Sequence, residues 1–279
     1  MKKSLIALAL AFGFVAAGHA QDATPTSPAA IPAPLQLAIQ GGMKVENKFD
    51  AAGGLTGWIL SQGVGKYLVA YTPPGGEVVL AGMLRNAKGE DLTKQYLDKY
   101  APKPDYDKFW SRLESTQTIN EGAQGSAAKS VIYAFMDPNC IYCHFAWKAL
   151  QPYEKVGLQV RWVPVAILGG NSPGQAAALL TSKDPVAAFA EHQRTWDPKK
   201  NQVGITPLAS IPMSAKKTLD ANSSLMVELG VSGTPGIFYK DAKGKVQKVD
   251  GMPGLRDLPG ITGLPEQAIT DPELQRFRR

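Results

Sequence analysis

Apolar and polar positions along the chain fall into two groups of strand-like runs. In the first, Val45 to Phe49 alternates, Leu55 to Leu60 carries Trp58 and Ile59, Tyr67 to Thr72 is strongly β-prone, and Val78 to Leu84 makes a fourth run. Gly53-Gly54, Pro73-Pro74-Gly75-Gly76 and Asn86-Ala87-Lys88-Gly89 punctuate them. Short strands parted by Gly/Pro turns predict a small antiparallel sheet. A short helix over Pro34 to Gln40, closed by Gly41-Gly42, precedes it. Residues 34–100 are few for an isolated core and gain from pairing with a second copy. They form a candidate dimerisation module; a simple binding appendage is the plainer reading.

Leu92 to Tyr100 reads as helix and Pro102 and Pro104 interrupt it. Helical spacing returns over Tyr106 to Ser115 with Phe109, Trp110 and Leu113, which predicts a linker helix within residues 101–118. Asn120 to Lys129 reads as loop. The second group of strands begins at Val131 to Phe135. The turn Asp137-Pro138-Asn139 ends that run, a helix is predicted from Ile141 to about Lys155, and Leu158 to Ile167 is a second apolar strand. Strand, helix and strand in this order predict a βαβ unit with parallel strands and a right-handed crossover. Helices are predicted over Gln175 to Thr181, over Pro185 to Arg194 with Ser182 or Asp184 as cap, and over Ala215 to Leu229. This helical block, about 170–229, sits between strands as an insertion would. Ile237 to Tyr239 and Val246 to Val249 form a hairpin around Lys240 to Lys245. The tail, with Pro253, Pro259 and Pro265, reads as loop with room for a short helix, and Arg276, Arg278 and Arg279 as a solvated end.

The start of the chain sets the compartment. Met1-Lys2-Lys3, the apolar stretch Ser4 to Ala17, and Gly18-His19-Ala20 before Gln21 have the layout of a cleavable signal peptide over 1–20. The apolar run is short for a membrane span. An exported protein is expected. Residues 21–33, rich in Pro, Ala and Thr, cannot bury a core and read as a flexible tether. Losing Lys2 and Lys3, with no acid in 1–20, takes the formal charge from +6 to +4. That mild basicity is no nucleic-acid signature.

Cys140 and Cys143 are the only two cysteines of the 279 residues. A C-x-x-C pair at a helix start closes a small disulfide ring, and the helix N-terminus favours a thiolate at the first cysteine. Cys140 is the expected nucleophile, with a pKa lowered into the roughly 3.5–7.5 range of such sites, and Cys143 the resolving thiol. Zinc lacks ligands: there is no second C-x-x-C, His144 and His192 do not complete a set, and His19 lies in the leader. No metal and no cofactor is expected. A purely structural disulfide staples almost nothing across two residues, which leaves redox chemistry as the leading reading. A second informative stretch, Gly233-Thr234-Pro235-Gly236, puts Pro immediately before a strand, where it is tolerated. An ordinary trans turn and a cis bond both remain open there.

The βαβ unit with C-x-x-C at its helix start, followed later by Thr-Pro before a strand, resembles the thioredoxin fold. The wider order (leader, small β module, linker helix, C-x-x-C, helical insertion, Gly-Thr-Pro) resembles the periplasmic DsbC/DsbG disulfide isomerases. The DsbG branch is the nearer, on residues 49–57, 137–143 and 181–185 and on the absence of a further cysteine pair in the insertion. The resemblance implies an α+β architecture. A cystatin-like N-terminal dimerisation domain (34–100) is joined by the linker (101–118) to a thioredoxin-like catalytic domain (119–279). It implies a V-shaped homodimer, with Cys140 attacking, Cys143 resolving and Thr234-Pro235 as a cis-Pro substrate loop. It also implies exported clients with disulfides or oxidised cysteines, chaperone-like client binding, and a membrane reductase of the DsbD kind as electron source. Position 141 departs from the Cys-Pro-Tyr-Cys common in this branch: it is Ile, so the family's redox poise does not carry over. A DsbA-like oxidase and a non-catalytic holdase are the competing readings.

Overall fold

The computed structural model describes residues 31–196 and 204–278. The expected leader, residues 21–30 of the expected tether, residues 197–203 and Arg279 of the expected solvated end lie outside the described residues. Helix α1 (Ala33–Gln40) leads into an antiparallel sheet of order β1-β2-β3-β4, made of β1 (Lys44–Ala51), β2 (Leu55–Ser61), β3 (Tyr67–Thr72) and β4 (Leu80–Ala81). The period-2 alternation seen in the sequence sorts these strands onto two faces. Phe49, Ile59, Val69 and Tyr71 pack with Tyr96, Leu97 and Tyr100 of helix α2 (Leu92–Tyr100). Trp58, Leu60 and Ala70 pack on Leu35 of α1. Asp91 caps α2 by accepting the Lys94 N–H at 2.9 Å. Gly57 faces Phe49 in register, and a Cβ there would overlap the Phe49 ring, which stacks on Tyr100 at 4.3 Å.

One predicted strand is shorter than the sequence suggests. The run Val78 to Leu84 pairs with β3 only at Leu80 and Ala81. Val78, Val79, Leu80 and Met83 are exposed by 52, 39, 49 and 61%. The helix expected over Tyr106 to Ser115 is found as a 3-10 turn, Asp107–Phe109, running into α3 (Trp110–Glu114). Pro102 and Pro104 hold the residues before it out of helical form.

The second sheet has order β5-β7-β6-β8-β9, from β5 (Ile119–Gly122), β6 (Ser130–Met136), β7 (Leu158–Pro164), β8 (Gly236–Lys240) and β9 (Val246–Asp250). Strands β6 and β7 are parallel, joined by helix α4 (Ile141–Glu154), and the other pairs are antiparallel. Helices α5 (Ser172–Thr181), α6 (Pro185–Arg194) and α7 (Met213–Glu228) fill the insertion, and α8 (Leu258–Thr262) follows β9. Asp184 is the cap of α6, accepting the Ala187 N–H at 2.9 Å.

Both faces of this sheet are covered, which explains why β6 reads as an unbroken apolar run. Ile132, Ala134 and Met136 pack with Cys143, Ala146 and Leu150 of α4. Tyr133 and Phe135 pack on the opposite side with Leu113, Leu225 and Phe238. Strand β5 is the element that sequence reading takes for loop. Its two inward positions are Ile119 and Glu121, and a buried acid breaks the apolar alternation. The fold tolerates Glu121 because the Trp147 and Trp162 indole N–H groups donate to its carboxylate at 3.0 Å. Gly122, at φ +86°, ends the strand where a Cβ would press on Glu154. No helix among the described residues is long and apolar enough to cross a membrane.

Candidate functional site

The break after β6 creates the site. Cys140 caps α4 in extended backbone (φ −84°, ψ 111°), and its Sγ accepts the Cys143 N–H at 3.2 Å. The Cys140 thiol also lies 3.2 Å from the Thr234 carbonyl oxygen, to which it donates. The Thr234-Pro235 bond is cis. Four residues singled out in the sequence, Cys140, Cys143, Thr234 and Pro235, therefore converge from two segments 94 positions apart.

The two thiols are unequal. Cys140 keeps 6% of its surface exposed and Cys143 none. Hydrogen bonding from the Cys143 thiol lowers the Cys140 pKa to about 7, against the cost of burial. The Thr234 side chain and the N–H groups of Cys143 and Tyr142 add to the lowering. Burial first, and then the neighbouring Cys140, push Cys143 well above the ordinary thiol range. A proton is thus held on Cys143 while Cys140 is ready to be the thiolate, which is the nucleophilic form.

The turn in front of Cys140 is held by residues that sequence reading registers only as a strand breaker. Asp137 is fully buried. Its carboxylate accepts the Asn139 N–H at 2.9 Å, the Ser172 hydroxyl at 2.5 Å, and the N–H groups of Ile167 and Leu168 at 2.8 and 3.0 Å. Its carbonyl accepts the Cys140 N–H at 3.0 Å. Asn139 donates onward to Asn171 and Ser172 at 2.9 and 2.8 Å. His192 of α6 bonds the Pro138 carbonyl through Nε2 at 2.8 Å and accepts the Ile205 N–H at Nδ1, 3.2 Å away. Those partners put the ring proton on Nε2. Burial lowers the pKa of His192, and likewise of His144, whose Nδ1 meets Gln193 Oε1 at 3.1 Å. The insertion thus reaches back to fix the turn. The Asp-Pro-Asn-Cys order hints at a structured turn; its partners 30 or more positions on are not readable locally. Among the described residues no cluster of three or more His, Cys, Asp or Glu side chains could hold a metal ion.

Comparison with known proteins agrees with this geometry. A thioredoxin-like domain family matches residues 120–258. The thiol:disulfide interchange protein DsbG of Pseudomonas aeruginosa is 34% identical over 94% of this chain and 98% of its own length. The DsbG of Escherichia coli is 30% identical over 84% of this chain and 92% of its own. Among solved structures, the catalytic domain of Proteus mirabilis ScsC aligns with 56% of this chain and 96% of its own at 23% identity and a TM-score of 0.45; the family assignment rests on the sequence matches, not on that alignment. Near full-length identity to two interchange proteins, with the paired thiols in place at a helix start, makes this chain a member of the DsbG family of thiol:disulfide interchange proteins.

Proposed function

We propose that the protein is a disulfide isomerase and reductase of exported proteins, with Cys140 as attacking thiol and Cys143 as resolving thiol. The observation that carries this is the arrangement of a lowered-pKa Cys140 over a fully buried, protonated Cys143, beside the Thr234 backbone. The Cys140 thiolate attacks one sulfur of a client disulfide, forming a mixed disulfide and expelling the other client sulfur as a thiolate, which takes up a proton. Two exits follow. A client thiolate attacks the client sulfur of the mixed disulfide, frees Cys140 and leaves a rearranged client with no net redox change. Alternatively Cys143, losing its proton, attacks Cys140 Sγ; the client leaves reduced and the Cys140–Cys143 disulfide carries the two oxidising equivalents. That second exit needs a dithiol donor, and a membrane reductase of the DsbD kind fits the role. A sulfenylated client cysteine enters the same scheme, with water as leaving group. Thr234-Pro235 is the segment that lies against a bound client strand.

The reading extends to a periplasmic, chaperone-like homodimer. Its division places a dimerisation module at 34–100, a joint at 101–118 and a catalytic unit at 119–279. The signal-peptide layout of residues 1–20 and the exposed apolar edge around β4 support it.

The deciding measurement is the reduction potential of the cysteine pair against glutathione, with its redox state in the exporting cell trapped by alkylation. A dithiol kept reduced is expected. A pair found oxidised, at a potential near the about −120 mV of DsbA, replaces isomerase with oxidase. Cys140→Ser is expected to abolish refolding of a scrambled client while Cys143→Ser accumulates mixed disulfide; full client rescue by Cys140→Ser leaves only a holdase.

A further inference from the structure

The tail of the chain is part of the active-site surroundings. Residues 259–279 lie beyond the thioredoxin-like match, and their arginines read in sequence as a solvated end. Instead the tail folds back on α4. Asp271 caps a 3-10 segment, Pro272–Phe277, by accepting the Glu273 N–H at 2.9 Å, and Leu274 and Phe277 are buried in the α4-side core. Lys148 of α4 pins the segment through ion pairs to Asp271 and, at 2.8 Å, to Glu273. The Phe277 ring lies 5.5 Å from Phe145 and 6.5 Å from Tyr142, and Tyr142 lies 6.3 Å from Phe145. Tyr142 and Phe145 are three apart and share one helix face. The tail therefore covers the face that begins inside the C-x-x-C ring itself.

Arg276 is the exposed charged member of this group. Its guanidinium lies over Phe145 at 4.3 Å and over Phe277 at 5.0 Å, and it makes no ion pair among the described residues. Stacking on two rings fixes a cation that would otherwise sample many rotamers, and leaves its N–H fork for a planar anion. Tyr142, between the cysteines, is 51% exposed beside it. This aromatic and cationic shelf therefore borders the C-x-x-C through Tyr142.

We propose that Arg276, seated on Phe145 and Phe277 beside Tyr142, is a specificity-determining residue that favours client segments carrying a carboxylate next to the reactive disulfide. The inference rests on the exchange reading given above. A single exposed ion pair of this kind is worth at most about fivefold in kcat/KM, and it weakens as salt shortens the Debye length.

The test uses the mature chain and two synthetic peptides, each with one intramolecular disulfide, flanked in one by Glu and in the other by Lys. The ratio of their kcat/KM values is measured at about 20 mM and about 0.3 M salt. The wild type is expected to favour the acidic peptide about three- to fivefold at low salt and to lose most of that preference at high salt. Arg276→Glu reverses the ratio, Arg276→Lys retains part of it, and the potential against glutathione is unchanged in both. Equal ratios in wild type and Arg276→Glu overturn this inference and leave the exchange reading standing. A wild type inactive on both peptides overturns the two together.

Discussion

The turn that carries Cys140 and the edge strand β4 are opposite solutions to the same need for partners. At the turn, one buried carboxylate takes four donors and the insertion closes on the Pro138 carbonyl through His192. The site is completed within one chain. At β4, two residues pair with β3 and four apolar side chains face solvent. That edge is unfinished within one chain, and natural proteins seldom leave such an edge bare. The contrast teaches where this protein invests order: the turn that carries Cys140 is held by internal polar contacts, and the apolar edge is left exposed, as the dimer proposed above requires.

The largest effect is expected at the completed end. Asp137→Ala leaves three backbone N–H groups and the Ser172 hydroxyl without their acceptor in the interior. Stranding buried donors at this density is expected to lower stability by roughly 3–5 kcal/mol, read from urea unfolding. Exchange activity should fall further than stability alone explains, because the turn no longer fixes Cys140. A variant as stable and active as the wild type would break the comparison, since the turn would then not depend on its carboxylate.

A smaller change in folding, but a clear one in assembly, is expected at the unfinished end. Leu80→Lys puts a charge on the bare edge. It should weaken self-association at least tenfold in sedimentation while shifting unfolding of the chain by no more than about 0.5 kcal/mol, as exposed substitutions do. A wild type that is monomeric across the micromolar range removes the second half of the contrast.

The same contrast explains what could be read beforehand. Local signals were legible: the apolar run of β6, the C-x-x-C at a helix start, a cap for α6 at Ser182 or Asp184 and the Thr-Pro before β8 all follow from neighbouring residues. Long-range polar contacts were not. Asp137 reads only as the first residue of a turn because Ile167, Leu168 and Ser172 are 30 to 35 positions away. Strand β5 was hidden because its inward Glu121 is tolerable only beside two tryptophans from other elements. In the tail, Arg276 and Arg278 are exposed as their charge implies, whereas Leu274 and Phe277 gain meaning only from α4. At β4 the apolar pattern was read correctly as apolar but wrongly as a full strand: only two of its residues find a partner in the chain.

The ordered half holds one discordant group, and it sharpens the comparison. Glu154, at the end of α4, has a buried Oε1 with no hydrogen-bond partner among the described residues, while Oε2 accepts from Gln151 at 3.1 Å. Burial, and then the charge of nearby Glu121, raise its pKa to about 8. The folded state therefore holds this proton more tightly than the unfolded chain does. The stabilisation this gives is complete below the unfolded value of 4.5 and is lost as pH rises through about 8. Glu154→Gln keeps the shape and removes the titration. It should match the wild type near pH 5 and exceed it by roughly 1–2 kcal/mol at pH 9, measured by urea unfolding across that range. A residual slope is expected to persist, because burial also raises Glu121. If the variant instead shows the full wild-type pH slope, the carboxyl of Glu154 is not the group that titrates, and the interior beneath α4 is as well satisfied as the turn above it.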